Sequence, residues 1–204
     1  LEIARQKRSW RIFEGSKLPQ TVYFDTSIFI EMAAKKSRYK RHIKTLLKEL
    51  FEERARVYTS IITVEEVSVA AYRPGEVARD TYGDVKAVAK VRGIDKLVAL
   101  TCAKNEAALK HIAEVEDAKR DKSKPEPLDR QIERACENRR RRWDCFHVAT
   151  AQAVGCTELY TTDAKLLKRP GQLQIKGLRA VLPGTSLRRI SGPLTEKAGE
   201  IEVE

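Results

Sequence analysis

Four carboxylates mark the points where this chain reads as leaving a strand or entering a helix. Asp25 follows TVYF, Glu66 follows YTSIITVE, Asp144 opens DCFHVATAQAVG and Asp163 follows ELYTT. In an α/β sheet the carboxyl ends of parallel strands share one edge, so acids remote in sequence can converge there. Carboxylates gathered in this way repel one another by roughly 1 to 4 kcal/mol per close pair in wet to partly buried surroundings. Protons or a bound cation must offset that repulsion. The pattern therefore points to a divalent-metal site.

Each acid also has an ordinary use. Asp is among the favoured helix N-caps, which suits Asp25 and Asp163. Glu66 lies three residues after Thr63, the spacing of a capping box. Asp144, placed in a first helical turn, would be favoured by the helix macrodipole. A cap needs only one small polar side chain per helix, however, and Thr26, Ser27, Thr161 and Thr162 already stand beside two of these junctions. Taken jointly, the acids favour coordination over capping. Glu65 is the rival to Glu66 and reads as solvated.

Other chemistries fit less well. The three histidines are His42, His111 and His147, and no G-x-S-x-G elbow accompanies them, which disfavours a Ser-His-Asp triad. His147 lies three residues after Asp144 on one helix; it reads first as a packing residue, with an Asp–His contact as the alternative. No glycine-rich phosphate loop occurs. An Asp-nucleophile phosphatase would carry a second Asp two positions after Asp25, where Ser27 stands.

Charge says what such a site would attract. Lys and Arg number 40 against 29 Asp and Glu, a net charge of +11. The basic residues are grouped in RQKR at 5–8, RYKR at 38–41 and Arg139 to Arg142, which favours a polyanionic partner such as nucleic acid. A metal-loaded acid pocket in a basic surround can hold a phosphate backbone. No apolar run approaches the roughly 18 residues of a membrane span, and the start, LEIARQKRSWRIF, lacks the apolar stretch of a secretory signal. Its first residue, Leu1, reads as a processed or truncated start. Cys102, Cys136, Cys145 and Cys156 form no CxxC pair, so the expectation is free thiols in a cytoplasmic protein and no structural zinc.

The elements that must position the acids follow from periodicity and breakers. Thr21 to Phe24 is a short β-branched and aromatic strand, and IFIEMAAKK begins a helix after Asp25-Thr26-Ser27. A helix from about Tyr39 to Arg54 carries Ile43, Leu46, Leu47, Leu50 and Phe51 at helical spacing. Val57 to Ser60 is the second strand, and a helix runs from near Thr63 to Pro74-Gly75. From Glu76 to Arg142 the pattern is helical and charged, broken near Gly93 and at KSKPEP (122–127). A helix Trp143–Val154 ends at Gly155, Glu158–Thr161 is a strand, a short helix follows Asp163, and Leu178–Leu182 is the last strand. Short strands alternating with helices predict a small parallel α/β sheet covered on both faces. The expected organisation is a basic lead (1–20), one domain (21–186) with a charged helical insertion at about 76–142, and an acidic tail (187–204) ending in GEIEVE.

YFDTSIFIE, YTSIITVEEV and WDCFHVATAQAVGCTELYTTDAKLL resemble the successive motifs of PIN-domain ribonucleases, including the toxins of bacterial and archaeal toxin–antitoxin modules. The resemblance covers Thr21 to about Tyr72 and Trp143 to about Pro183. It implies a three-layer α/β/α fold with a central parallel sheet and an acidic Mg²⁺ or Mn²⁺ site that hydrolyses RNA. It places the catalytic, metal-holding acids at Asp25, Glu66, Asp144 and Asp163, with Ser27 and Thr161 as supporting hydroxyls. The implied partners are RNA, an antitoxin protein and a second copy of the chain. The longer lead, the charged helical segment and the acidic tail depart from compact toxins and put the toxin role in question. The alternative is an RNA-binding or scaffold protein on the same fold, with weak or no catalysis.

Overall fold

The computed structural model describes residues 20–71, 80–119 and 127–184. The expectations for the basic lead, the stop at Pro74-Gly75, most of KSKPEP and the acidic tail lie outside these residues. Within them the order is β1 (Thr21–Phe24), α1 (Thr26–Ala33), α2 (Lys40–Glu52), β2 (Arg56–Ser60), α3 (Ile61–Ala71), α4 (Thr81–Val88), β3 (Lys90–Arg92), α5 (Lys96–Ala118), α6 (Leu128–Ala153) and β4 (Glu158–Tyr160). A 3₁₀ turn (Leu166–Lys168), α7 (Arg169–Gln172) and β5 (Arg179–Val181) complete it.

The strands form one sheet in the order β3-β2-β1-β4-β5, with every pair parallel. Parallel strands need crossover helices, so both faces of the sheet are covered and the central strands are buried on both sides. β1 shows the consequence: Val22 and Phe24 enter one core with Ile28, Phe29, Ile43, Leu46 and Leu50, while Tyr23 enters another with Val148, Ala151 and Leu159. The expected three-layer α/β/α architecture is present.

Helix α6 is the structural pivot of the second layer. Val148 and Ala151 face the sheet, whereas Cys145 and Ala149 join Val98, Cys102 and Leu109 of α5. α6 is thus buried on two sides near its C-terminal end, and α5 packs along its outer face.

Four local expectations need correction. β3 was not foreseen; the three residues KVR form an edge strand whose Lys and Arg read as part of a charged helical stretch, a composition typical of protected sheet edges. α6 does not begin at Trp143 but runs unbroken from Leu128, because nothing between Arg142 and Trp143 caps or breaks a helix. α3 begins at Ile61 rather than near Thr63, with the Ser60 hydroxyl accepting from the Ile62 amide at 3.2 Å. Within α2, Ile43, Leu46 and Leu50 are buried as expected, but Phe51 is 85% exposed.

Candidate active site

The strand order reverses at β1: β2 and β3 extend to one side, β4 and β5 to the other. Such a switch point opens a crevice at the carboxyl ends of the strands. Asp25 follows β1 directly, and its amide donates to the carbonyl of Tyr160 at the end of β4 (3.0 Å). Thr161 and Asp163 follow β4 on the same edge.

Asp25 is 4% exposed and has two uses. Its Oδ2 accepts from the Ser27 amide (3.2 Å), so it caps α1 as an ordinary N-cap. The Thr161 hydroxyl donates to the same oxygen at 2.8 Å. Oδ1 is left to face Nε2 of His147 at 3.4 Å. The capping and clustering roles therefore coexist in one side chain.

Glu66 is half-buried. Its Oε2 lies 3.2 Å from the same His147 Nε2 and accepts a short hydrogen bond from the Thr26 hydroxyl. The capping-box alternative fails here, because Thr63 lies inside α3 and its hydroxyl accepts from Thr59 (2.8 Å). Glu65, the rival acid, is exposed.

Asp144 is 8% exposed and sits well inside α6 rather than in its first turn, so the macrodipole explanation for its placement falls. Its Oδ2 accepts from Nε of the equally buried Arg169 at 2.9 Å. Burial pushes the Asp144 carboxyl above the usual range, the Asp163 charge adds to that, and Arg169 opposes it. Asp163 is exposed; its Oδ1 accepts from the amides of Lys165 (2.7 Å) and Leu166 (3.4 Å), which caps the turn into the 3₁₀ segment.

The hydroxyls join these pieces. Ser27 Oγ lies 3.3 Å from Thr161 Oγ1 and accepts from the Thr162 amide at 2.8 Å. Thr161 Oγ1 also accepts from the Asp163 amide at 2.9 Å. One hydroxyl thus contacts both the Asp25 carboxylate and the backbone of Asp163.

His147 is the residue that sequence reading undervalued. It is buried, with Nε2 between Asp25 and Glu66 and Nδ1 at 2.8 Å from the Tyr23 hydroxyl. Burial pulls its pKa down, yet the charges of Asp25, Glu66 and Asp144 together carry it above the ordinary value. Burial likewise pushes Glu66 up, but the hydrogen bond and charge of His147 outweigh it and hold that carboxyl low. The signal was present in the spacing: three positions from Asp144 puts His147 on the same helix face, one turn along. Arg169 gave no comparable signal, since α7 has four residues and little pattern.

The acids are thus linked through shared partners. Asp25, Glu66 and Asp144 all act on the His147 ring, and Asp163 acts on Asp144. Among the described residues, no three His, Cys, Asp or Glu side chains are gathered into a group placed to hold a cation. The arrangement instead closes the acids onto His147 and Arg169. The donor chemistry still suits a hard divalent ion, which takes carboxylate oxygens and water. Arg169 and the His147 ring stand where an ion would otherwise meet the acids.

The PIN domain family model matches residues 22–172, more than half of the chain. Among solved structures, the chain is similar to VapBC2 from Rickettsia felis bound to a DNA fragment from its promoter, at 13% identity, 80% of this chain, 98% of that chain and a TM-score of 0.48. It is also similar to DNA-bound VapBC from Salmonella typhimurium (17% identity, 80% and 98% covered, TM-score 0.48). VapBC-1 from nontypeable Haemophilus influenzae gives 14% identity, 79% and 97% coverage and the same TM-score of 0.48. No curated protein sequence matches at a significant level. No helix among the described residues is long and apolar enough to cross a membrane.

Proposed function

The chain belongs to the PIN domain family, and from that premise we propose that it is a divalent-metal-dependent endoribonuclease acting at Asp25, Glu66, Asp144 and Asp163. One observation carries the reading. Asp25, at the end of β1, and Glu66, within α3, meet at a single imidazole nitrogen, 3.4 and 3.2 Å away. Acids that served only as caps would have no reason to converge.

Asp25, Asp144 and Asp163 would hold the ion, Mg²⁺ or Mn²⁺, with Glu66 completing the set directly or through water. When bound, such an ion lowers the pKa of a water and stabilises charge on the scissile phosphate. The chain's own residues do the rest. Thr161 and Ser27 fix the Asp25 carboxylate and tie it to the Asp163 backbone. The Thr26 hydroxyl fixes Glu66, and the His147 contact holds that carboxyl below its usual range, which suits it to orienting a water more than to taking its proton. The net charge of +11 supplies long-range attraction for a polyanion.

The decisive assay is cleavage of mixed RNA with Mg²⁺ or Mn²⁺, with and without EDTA, for the wild type and Asp25→Asn. The variant is expected to fold and to cleave about a thousandfold more slowly, the equivalent of losing about 4 kcal/mol of transition-state stabilisation. Undiminished metal-dependent cleavage by a folded Asp25→Asn would remove Asp25 from the mechanism. RNA binding without any metal-dependent cleavage by the wild type would favour the binding-protein alternative.

A further inference from the structure

A groove of about 1020 Å³ lies between α5 and α6. Arg169 and Gln172 of α7 line it beside Lys110 of α5 and Arg130, Arg141 and Trp143 of α6. Arg169 therefore belongs to both the acid cluster and the groove: its Nε holds Asp144 at 2.9 Å, and it is one of the groove's lining residues.

Its guanidinium is incompletely satisfied. Arg169 is 7% exposed, Nη1 donates to Gln172 Oε1 at 3.0 Å, and Nη2 is buried with no hydrogen-bond partner among the described residues. A buried donor on a charged group that lacks an acceptor carries a large desolvation cost, more than an ordinary unpaired amide. An anion with more than one oxygen would relieve it, and guanidinium forks match phosphate well.

The groove carries charges of both signs: Glu114, Glu116, Asp117 and Glu133 line it as well, while Glu106 lies 3.4 Å from both Arg142 Nε and Lys110 Nζ and Glu137 lies 3.6 Å from Lys165. Trp143 is 38% exposed and offers an aromatic face of the kind on which single-stranded bases stack. Resting on the nuclease reading above, we propose that Arg169 is a substrate-contacting residue: its Nη2 takes a phosphate oxygen of a single-stranded RNA that leaves the acid cluster along the α5–α6 groove. The same side chain then couples strand binding to Asp144.

The test is metal-free binding, which needs no cleavage. A short, labelled, mixed-sequence single-stranded RNA is titrated with the full chain in EDTA over a range of salt concentrations. Arg169→Gln is expected to weaken binding about 10- to 100-fold, as for loss of a hydrogen bond to a charged group. It should also make the slope of log K against log salt shallower by about 0.7, the signature of one lost phosphate contact on a single strand. Arg169→Lys should keep the wild-type slope, since the charge remains, while losing part of the affinity. Because removing Arg169 alone strands a buried Asp144, the same slope is compared between Asp144→Asn and Asp144→Asn/Arg169→Gln, where the pair is uncharged together. An unchanged slope in both comparisons would overturn the proposal and leave Arg169 as the counter-ion of Asp144 alone; a partner protein's carboxylate as the true occupant would give that same result. Cleavage by the wild type is scored separately. Loss of the slope change with cleavage intact rejects only the Arg169 contact, whereas a slope change without cleavage rejects the nuclease reading and keeps the contact.

Discussion

The hydroxyl of Tyr23 lies 2.8 Å from Nδ1 of His147, across the interface between β1 and α6. Tyr23 is fully buried, and burial followed by the Asp25 charge pushes its phenol well above the usual range, so it keeps its proton. A protonated His147 can therefore donate through Nδ1 to the Tyr23 oxygen and through Nε2 to Glu66 or Asp25. The ring is fixed from behind by a core residue of the sheet while its front neutralises the acids. Packing and electrostatics meet in one imidazole, which is why reading His147 as packing or as an Asp144 partner was incomplete.

This contact predicts a pH signature in the metal-free protein. His147 has a raised folded pKa, so its contribution is fully present below the unfolded value of 6.5 and is lost as pH rises through the folded value. Glu66 has a lowered folded pKa, so its contribution is present above the unfolded value of 4.5 and is lost as pH falls through the folded one. The stability difference between wild type and His147→Gln in EDTA should therefore be largest between these two unfolded values and shrink on both sides. Urea unfolding midpoints at several pH values measure it; a difference that is flat with pH would reject the ion-pair assignment.

Thr161 is predicted to matter out of proportion to its size. Its hydroxyl donates to Asp25 and accepts from the Asp163 amide, so Thr161→Val leaves the buried Asp25 carboxylate and the Asp163 amide short of one hydrogen bond each. A loss of about 1 to 3 kcal/mol in stability is expected, with cleavage reduced about tenfold or more as Asp25 loses its fixed orientation. Thr161→Ser should restore most of both. If the Val variant matched wild type in denaturant unfolding and in single-turnover cleavage, the tie between the two strand ends would have no functional weight.

The cysteines offer an independent check of the fold. Cys136 is exposed, whereas Cys102, Cys145 and Cys156 are buried, and burial pushes their thiols up to about 11, about 12 and about 12. The thiolate is the reactive form, so a thiol-reactive disulfide reagent near pH 8 should find one fast group in the native protein and four after denaturation. Cys136→Ser should abolish the fast phase. Rapid reaction of Cys145 would mean that α5 does not cover α6 as described.

Much of the architecture was legible because parallel strands buried on both faces announce themselves. TVYF is an apolar and β-branched run and ELY a buried one, and each is followed by an acid and a hydroxyl at the sheet edge. β3 was not legible, because KVR at an edge carries charges to solvent and has no pattern of its own. The start of α6 was misplaced for a related reason. A long helix whose N-terminal half is solvated and charged changes composition at Trp143 without changing conformation.

By itself the sequence determined the α/β class, the placing of Asp25 and Asp163 beside strand ends and the excess of positive charge, since these depend on residue type and local periodicity. Only the tertiary structure decided which side chains meet those acids. His147 reaches Asp25 and Glu66 because α6 lies across β1, and Arg169 reaches Asp144 because the chain after β4 folds back onto α6. Neither pairing has a fixed spacing along the chain. Both arise from strand order and helix packing, and burial then makes each unpaired charge too costly to leave alone.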